Sequence, residues 1–186
     1  PVVIVSEQVN AAELEYSTED NKFVVAWQRY QYVRYQVGTI LSSEIISWAS
    51  DVSIATMSWW NMRSLAYDVT NNHFIVAYQT SDNIRVTSFS IDGGVKAGAD
   101  ITDVFNPCGS PCDAALAYDE GESRFLIAGN FNSSGYLYGK VITLSSTGAI
   151  TLSHAASSDG IQLASNDADN VSATYGGGRI LVTYTY

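Results

Sequence analysis

Short apolar runs separated by polar turns dominate the hydrophobic pattern of the chain. In LAYDVTNNHFIVAY, residues 65–78, two apolar runs flank a polar tip. That arrangement predicts a β-hairpin. The second run is apolar at successive positions, so both faces of its strand are expected to be buried between neighbouring sheets. No segment has a convincing helical period; residues 42–50, SSEIISWAS, come nearest, and their β-branched side chains favour a strand equally.

The hairpin pattern recurs at a spacing of 51 residues. The spacing separates the members of two aromatic series, Tyr16, Tyr67, Tyr118 and Phe23, Phe74, Phe125. The third copy carries an insertion in NFNSSGYLYG, and with that shift VSATYGGGRILVTY, from Val171, matches the hairpin of a fourth copy. A constant period of this length indicates a repeat architecture.

The alignment predicts one repeat domain, 1–186, in which each complete unit has four short antiparallel strands. Its parts are the tail strand of a unit (1–13), three whole units (14–64, 65–115, 116–170) and an opening hairpin (171–186). In the second unit the strands are predicted at 65–67, 74–79, 84–91 and near Val95, with a turn at Asp92-Gly93; Thr147-Gly148 is the matching turn of the third unit. We therefore predict an all-β, β-propeller-like fold. A linear stack of small sheets is the alternative, since it also buries each unit against the next.

The repeat motif resembles a known family. The hairpin YD-turn-xF(L/I)(V/I)A(Y/W), followed by S-x-(D/T)-G, is similar to the degenerate blade repeat of secreted β-propeller proteins. Residues 90–94, SIDGG, partly match the Asp-box turn of sialidase-type propellers, S-x-D-x-G, but lack its closing Thr and Trp. The resemblance covers nearly the whole chain and implies a blade architecture without a particular activity.

Basic residues recur at two positions of the unit. One series stands just before the second strand and the other within the third: Lys22, His73, Arg124, Arg179 and Arg34, Arg85, Lys140. We interpret them as solvated charges at strand ends and edges. The alternative is that they line a rim or pair with acidic residues of a neighbouring unit.

The charge balance excludes several partners. A net charge of −10 argues against nucleic acid and anionic membranes, which need clustered Lys and Arg. No apolar stretch approaches the roughly 20 residues that span a bilayer, so no membrane insertion is expected.

Several features predict an extracellular setting. The two cysteines, Cys108 and Cys112, are expected to form a disulfide across the small loop PCGSPC. The sequons at Asn132 and Asn170 are predicted glycosylation sites. The sequence starts at Pro1 with no leader-like segment, as expected of a mature secreted chain, an excised repeat segment or a trimmed chain.

The alignment also suggests self-assembly. Residues 1–9, PVVIVSEQV, correspond to the tail of a unit, and the fourth copy contains two strands. An apolar edge strand is a template for pairing, so we predict head-to-tail assembly into a homo-oligomer or filament by strand exchange. The predicted residues are Val2, Val3, Ile4 and Val5 against Ile180, Leu181, Val182 and Tyr184. The alternatives are a clasp within one chain and excision from a longer repeat array.

We expect no enzymatic activity. No phosphate-binding loop, metal-binding histidine spacing or nucleophile elbow is present. A sialidase would need clustered arginines, and Arg34, Arg85 and Arg124 do not share one position of the unit, because Arg124 belongs to the other basic series. No cofactor or metal is predicted; the oxygen-rich turns 17–21 and 165–170 make calcium a minor alternative.

These features predict a non-enzymatic extracellular structural or adhesive repeat module that binds copies of itself. The alternative is a carbohydrate-binding β-propeller lectin with glycans as partners, because sugar sites use aromatic faces. Its candidate ligand-binding residues are Trp48, Trp59, Trp60, Tyr136 and Tyr138.

Overall fold

The structure, a computed structural model, describes residues 9–42, 45–56, 62–81, 83–91, 101–105, 112–130, 135–153 and 160–186. These ranges contain sixteen β-strands in four sheets and no helix. Sheet 1 consists of β1 (Ala12–Ser17), β2 (Lys22–Arg29), β3 (Tyr32–Ser42), β4 (Ile45–Trp48) and β5 (Val52–Thr56). Sheet 2 consists of β6 (Met62–Asp68), β7 (His73–Thr80), β8 (Asn83–Phe89) and β9 (Ile101–Phe105). Sheet 3 consists of β10 (Ala114–Asp119), β11 (Arg124–Asn130), β12 (Tyr136–Leu144), β13 (Ile150–Leu152) and β14 (Ile161–Asp167). Sheet 4 consists of β15 (Asp169–Gly176) and β16 (Arg179–Thr185).

Each of the first three sheets begins as an antiparallel meander of three strands. In sheet 2 a single strand, β9, follows on the free edge of β8. In sheets 1 and 3 the equivalent strand is divided, because β4 and β5 both pair with β3, and β13 and β14 both pair with β12. The predicted all-β fold of small antiparallel sheets is confirmed. The sheets do not close into a barrel or a propeller within the described ranges, which is consistent with the alternative prediction of stacked sheets.

The strands of the second unit lie close to their predicted positions, with one difference. The fourth strand is β9, well beyond Val95, which lies outside the described residues together with the predicted Asp92-Gly93 turn. The predicted turn at Thr147-Gly148 is present, where Gly148 has a φ of 81° and its amide donates to the Ser145 carbonyl at 2.9 Å.

The 51-residue spacing corresponds to one hairpin register. In sheets 1 to 3 the repeated tyrosine of the first strand faces the repeated phenylalanine of the second, with ring centroids 5.0, 4.8 and 4.8 Å apart. The intervening turn closes with a positive φ at one repeat position, occupied by Asn21, Asn72 and Ser123. Asparagine tolerates that left-handed conformation better than most residues, which explains its use in two of the three turns.

The fourth hairpin keeps the strand pairing and shortens the turn. Tyr175 faces Ile180, and only Gly177 and Gly178 stand between β15 and β16, with φ values of 59° and 74°. A two-residue hairpin with positive φ at both positions favours glycine, because the missing Cβ removes the steric cost.

Successive sheets bury their faces against each other. Within sheet 2, Phe74 and Val76 pack in the cluster shared with sheet 1, whereas Ile75 and Ala77 pack in the cluster shared with sheet 3; all four are fully buried. A smaller cluster around Ala128, Leu137 and Val171 joins sheets 3 and 4. β7 is therefore apolar at successive positions because both of its faces are covered.

The basic residues of the third strands have ion-pair or interface partners. Arg34 pairs with Asp51 at 2.9 Å, and Arg85 pairs with Asp103, in each case within the sheet. The interpretation of Lys140 as a solvated charge is wrong. Lys140 is fully buried, and its Nζ donates to the Val104 carbonyl of sheet 2 at 2.7 Å. A buried ammonium is tolerated only with such partners, so this contact links sheets 2 and 3.

Gly148 allows the close approach of sheets 2 and 3. A Cβ there would lie 2.7 Å from the His73 ring and 3.1 Å from Ser88 Oγ. We expect Gly148→Ala to lower the free energy of unfolding by about 2 kcal/mol or more, through backbone strain and this clash. The control Gly177→Ala also places alanine at a positive φ, but with nothing within 4 Å, and it should lose about 1 kcal/mol. Urea unfolding measures both, and equal losses would show that the contact with His73 is unimportant.

Candidate functional site

The first strands of the four sheets lie side by side and line a cavity that is partly open to solvent. β6 lies between β1 and β10, and β10 lies between β6 and β15. The cavity has a volume of 290 Å³, and we call it the first-strand cavity. Its lining consists of Glu15, Tyr16, Thr18, Ala66, Tyr67, Val69, Leu116, Ala117, Tyr118, Glu120, Ala173, Thr174 and Tyr175. The repeated tyrosines of sheets 1 to 3 are among them, together with Tyr175 of sheet 4, which faces Ile180 as Tyr67 faces Phe74. The register of the hairpins therefore places a tyrosine of every sheet along this cavity.

Tyr67 connects sheet 2 to the hairpin turn of sheet 1. Ser17 Oγ donates to the Tyr67 hydroxyl at 3.1 Å, and that hydroxyl donates to Asn72 Oδ1 at 2.9 Å. Asn72 Nδ2 in turn donates to Asp20 Oδ2 of sheet 1 at 3.0 Å. The tips of successive hairpins are therefore joined by a polar network as well as by apolar packing.

Tyr118 makes the equivalent connection from sheet 3 to sheet 2. Its hydroxyl donates to Asp68 Oδ1 at 2.5 Å and lies 2.8 Å from the Thr70 hydroxyl. Asp68 is fully buried and also accepts from the Thr70 amide and from the Asn71 amide and side chain. The buried carboxylate thus has several donors, which offset its desolvation.

The tyrosine of sheet 1 differs from those of sheets 2 and 3. Tyr16 is 37% exposed, and its hydroxyl donates at 2.5 Å to Asn21, in the turn of its own hairpin. Tyr67 and Tyr118 are only 8% and 9% exposed. Among the described residues, no sheet covers the tyrosine of sheet 1 as sheets 1 and 2 cover its counterparts.

The cavity carries negative charge. Glu15 and Glu120 line it, and no Lys, Arg or His is among the lining residues. Burial raises the pKa of Glu15; a backbone hydrogen bond at Tyr16 acts in the opposite direction, and the nearby Glu13 adds to the rise. Burial also raises the pKa of Tyr118, as does its hydrogen bond to Asp68.

Sheet 1 has an apolar groove on the face turned away from sheet 2. The groove has a volume of 350 Å³ and is lined by Ala12, Glu13, Leu14, Phe23, Val25, Ile46 and Trp48. We call it the sheet-1 groove. Leu14 is 57% exposed there, whereas its repeat counterparts Leu65 and Leu116 are both 4% exposed.

At the opposite end, β16 is an edge strand. It pairs with β15 on one side, and among the described strands none pairs with its other edge. In sheet 3, β14 presents exposed apolar side chains, with Ile161 and Leu163 at 56% and 43% exposure. In sheets 1 to 3 a third strand occupies the corresponding edge.

The predicted assembly residues fall partly in this edge. Leu181 is 61% exposed, whereas Ile180 is half-buried and Val182 and Tyr184 pack towards sheet 3. The other predicted set, Val2, Val3, Ile4 and Val5, lies outside the described residues.

The predicted covalent sites are partly described. Cys112 is 2% exposed and belongs to a disulfide, whereas Cys108 lies outside the described residues, so the pairing stays a prediction. Asn170 is exposed at the start of β15, and its Nδ2 donates to Thr185 Oγ1 at 3.0 Å. Asn132 lies outside the described residues.

The predicted lectin residues are spread over the stack. Trp48 lies in sheet 1 over Gly38, whose added Cβ would come within 2.8 Å of the indole. Tyr136 and Tyr138 lie in sheet 3, on the far side of sheet 2, and Tyr138 is 7% exposed. Trp59 and Trp60 are outside the described residues. The described aromatics of this set therefore share no pocket.

The candidate catalytic and metal groups are likewise separated. Arg34, Arg85 and Arg124 lie on sheets 1, 2 and 3, and Arg124 lies 3.4 Å from Asp119 of its own hairpin. In the turn at 17–21, Asp20 accepts hydrogen bonds from Ser17 and Asn72. In the described ranges, no group of three or more His, Cys, Asp or Glu side chains is placed to hold a metal ion.

The comparisons with known proteins add no relative. No protein-family model matches the chain, and no curated protein matches it significantly. Across the described ranges, no helix has the length and apolarity needed to cross a membrane.

Sequence reasoning did not identify the first-strand cavity. Two features of the sequence could have indicated the cavity. They are the tyrosine series and the acidic residues Glu15 and Glu120, which replace small or uncharged residues of the other copies. The missing information was that the first strands, rather than the third or fourth, lie next to each other.

The Tyr118–Asp68 hydrogen bond should contribute measurably to stability. Because the bond involves a buried carboxylate, we expect Tyr118→Phe to lower the free energy of unfolding by about 2 kcal/mol. Tyr16→Phe is the matched control; it removes a hydroxyl that contacts only its own turn at an exposed position, and should cost less than about 0.5 kcal/mol. Equal losses in chemical denaturation would contradict a link between the sheets at Tyr118.

Alkaline pH should destabilise the fold. Burial raises the pKa of Tyr35, Tyr67, Tyr78 and Tyr118 above that of an unfolded chain. The folded state therefore holds these protons more tightly, so its stability is retained below about pH 10 and is lost as the pH rises further. Urea unfolding midpoints measured from pH 8 to 11 should decrease at the alkaline end of that range. In Tyr78→Phe the decrease should be smaller, because one of the four tyrosine protons is removed. An equally steep decrease in the variant would show that Tyr78 does not contribute to the pH dependence.

Proposed function

We propose that the chain is a non-enzymatic extracellular structural or adhesive repeat module, and that it binds a second copy of itself head to tail. The observation that carries the proposal is the exposure of Leu14 in a position where Leu65 and Leu116 are buried by a preceding sheet. The same interface that holds sheets 1 to 3 together is thus available again on sheet 1.

The two ends of the stack suggest one heterologous contact. Residues 1–9 precede β1 and match, in the repeat alignment, the tail of a preceding unit. In the proposed assembly, this segment of one copy pairs with the free edge of β16 in another. The extended sheet 4 then covers the sheet-1 groove of the first copy, as each sheet covers the next within the chain.

The chemistry of the surfaces supports that contact. The segment VVIV is apolar and β-branched, as strands buried on both faces require. It would pack beside the exposed Ile161 and Leu163 of sheet 3. A contact between unlike surfaces repeats from copy to copy and yields a filament unless the rotation closes a ring. If the rotation closes, the same interface would instead produce a propeller-like ring of several copies.

The extracellular setting is part of the proposal. The disulfide at Cys112 supports it, because such bonds persist in oxidising compartments. The exposure of Asn170 supports it as well, because a glycan at this sequon would extend into solvent. The net charge of −10 keeps copies apart at long range, so binding must come from the apolar surfaces.

Removal of residues 1–6 tests the proposal. We expect the mass of the intact chain in light scattering to rise with concentration, and the deletion variant to remain a folded monomer, because the added strand is gone. Leu14→Ser should weaken assembly in the same way through the sheet-1 groove. Tyr30→Asn is the matched control, since Tyr30 is 76% exposed in a turn with a positive φ, which asparagine accepts.

The outcomes separate the alternatives. An intact chain that stays monomeric at all concentrations would overturn self-assembly. A second pattern would identify a clasp within one chain instead. In that case the intact chain is also monomeric, and the deletion variant is a monomer that unfolds more easily than the intact chain. Circular dichroism establishes that each variant is folded before its mass is interpreted.

A further inference from the structure

We propose that the first-strand cavity binds an organic ammonium group carrying a short aliphatic body. The proposal is independent of self-assembly, because the cavity lies among the first strands rather than at the sheet-1 groove or along β16. Its basis is the combination of aromatic walls with carboxylates that have no basic neighbour in the lining.

The carboxylates are departures from the repeat. The position of Glu15 is occupied by Ala66 in the second unit and Ala117 in the third, and all three residues line the cavity. The position of Glu120 is occupied by Thr18 and Val69, which also line it. Structural repetition alone would place small or neutral residues at both positions. Acidic side chains have instead been introduced from sheet 1 and sheet 3 into the same space.

The electrostatics favour a cation. In the described part of the chain, neither Glu15 nor Glu120 forms an ion pair with Lys, Arg or His. Burial raises the pKa of Glu15, so its ionised form is held at a cost that a bound cation would offset. The described residues offer no set of three metal ligands, which favours an organic cation over a metal ion.

The walls suit an ammonium with an apolar body. Tyrosine rings attract cations through their negatively charged faces, and hydroxyl groups accept hydrogen bonds from an ammonium. The small side chains of Ala66 and Ala117 are part of the lining, and the volume of 290 Å³ lies at the small end of ligand pockets. The occupant is therefore a single ammonium with a few carbon atoms, supplied either by a free amine or by a lysine side chain of another protein.

The test uses the intact chain, ¹⁵N-labelled, at constant ionic strength. Titration with n-butylammonium chloride should shift the amide resonances of Ala66, Ala117 and Thr174, whereas the neutral isostere n-butanol should not. A parallel titration with Nα-acetyl-lysine methylamide identifies the source: tighter binding of the blocked lysine indicates a protein partner, and tighter binding of the simple amine a free one.

Variants locate the charge that is responsible. Glu15→Gln and Glu120→Gln should each weaken binding of n-butylammonium about tenfold, because each removes a charged hydrogen-bond partner. Glu122→Gln is the control; it removes the same charge from the hairpin turn that holds Glu120, at a position outside the cavity lining.

Three results would overturn the proposal. The first is the absence of shifts at about 50 mM n-butylammonium, a concentration that detects even a dissociation constant in the tens of millimolar. The second is equal shifts with n-butanol, and the third is equal weakening by Glu122→Gln. Binding of glucose with larger shifts at the same amides would also overturn it, in favour of a sugar site. The n-butanol comparison uses the unaltered protein, so the proposal stays testable even if a variant fails to fold.

Discussion

The structure depends on the covering of each sheet's face by the next sheet. A sheet of four or five short strands has two faces, and the described part of the chain contains no helix to cover either of them. The alternation along β7 shows the consequence, since Phe74 and Val76 are buried towards sheet 1 while Ile75 and Ala77 are buried towards sheet 3. A single unit could not bury these side chains, so stability requires neighbours. At Leu14, where no neighbouring sheet lies among the described residues, the same type of residue is left exposed.

Polar contacts determine how the covered faces are aligned. Apolar packing alone tolerates sliding, because a methyl group has no preferred partner. The hydroxyl of Tyr118 has one preferred position on Asp68, and the ammonium of Lys140 has one on the Val104 carbonyl. Both groups are buried, so a displaced sheet would leave a charged or polar atom without a partner, at a cost of several kcal/mol. The relative placement of the first strands, and with it the cavity they line, follows from these contacts.

The hairpins were predictable because their information is local. Tyr67 faces Phe74 because the turn between them has a fixed length and the side chains of a strand alternate. The 51-residue spacing carries that result to Tyr16 and Tyr118 without further assumptions. The fourth strand of the second unit lies at Ile101–Phe105, further along the chain than its predicted position near Val95, because its place is fixed by pairing with β8 rather than by a local turn signal. The burial of Lys140 was missed because a lysine in a strand is ordinarily solvated, and its partner is on another sheet.

By itself, the sequence determined the all-β class, the repeat and the register of each hairpin, because turn conformation and side-chain alternation act over a few residues. Only the tertiary structure decided which strands lie side by side. That choice brings Glu15 and Glu120, which are far apart in the chain, into the lining of one cavity. It also leaves Leu14 exposed and buries Leu65, although the two occupy the same position in the repeat. Neither result follows from local preferences, because each depends on what packs against a strand rather than on the strand itself.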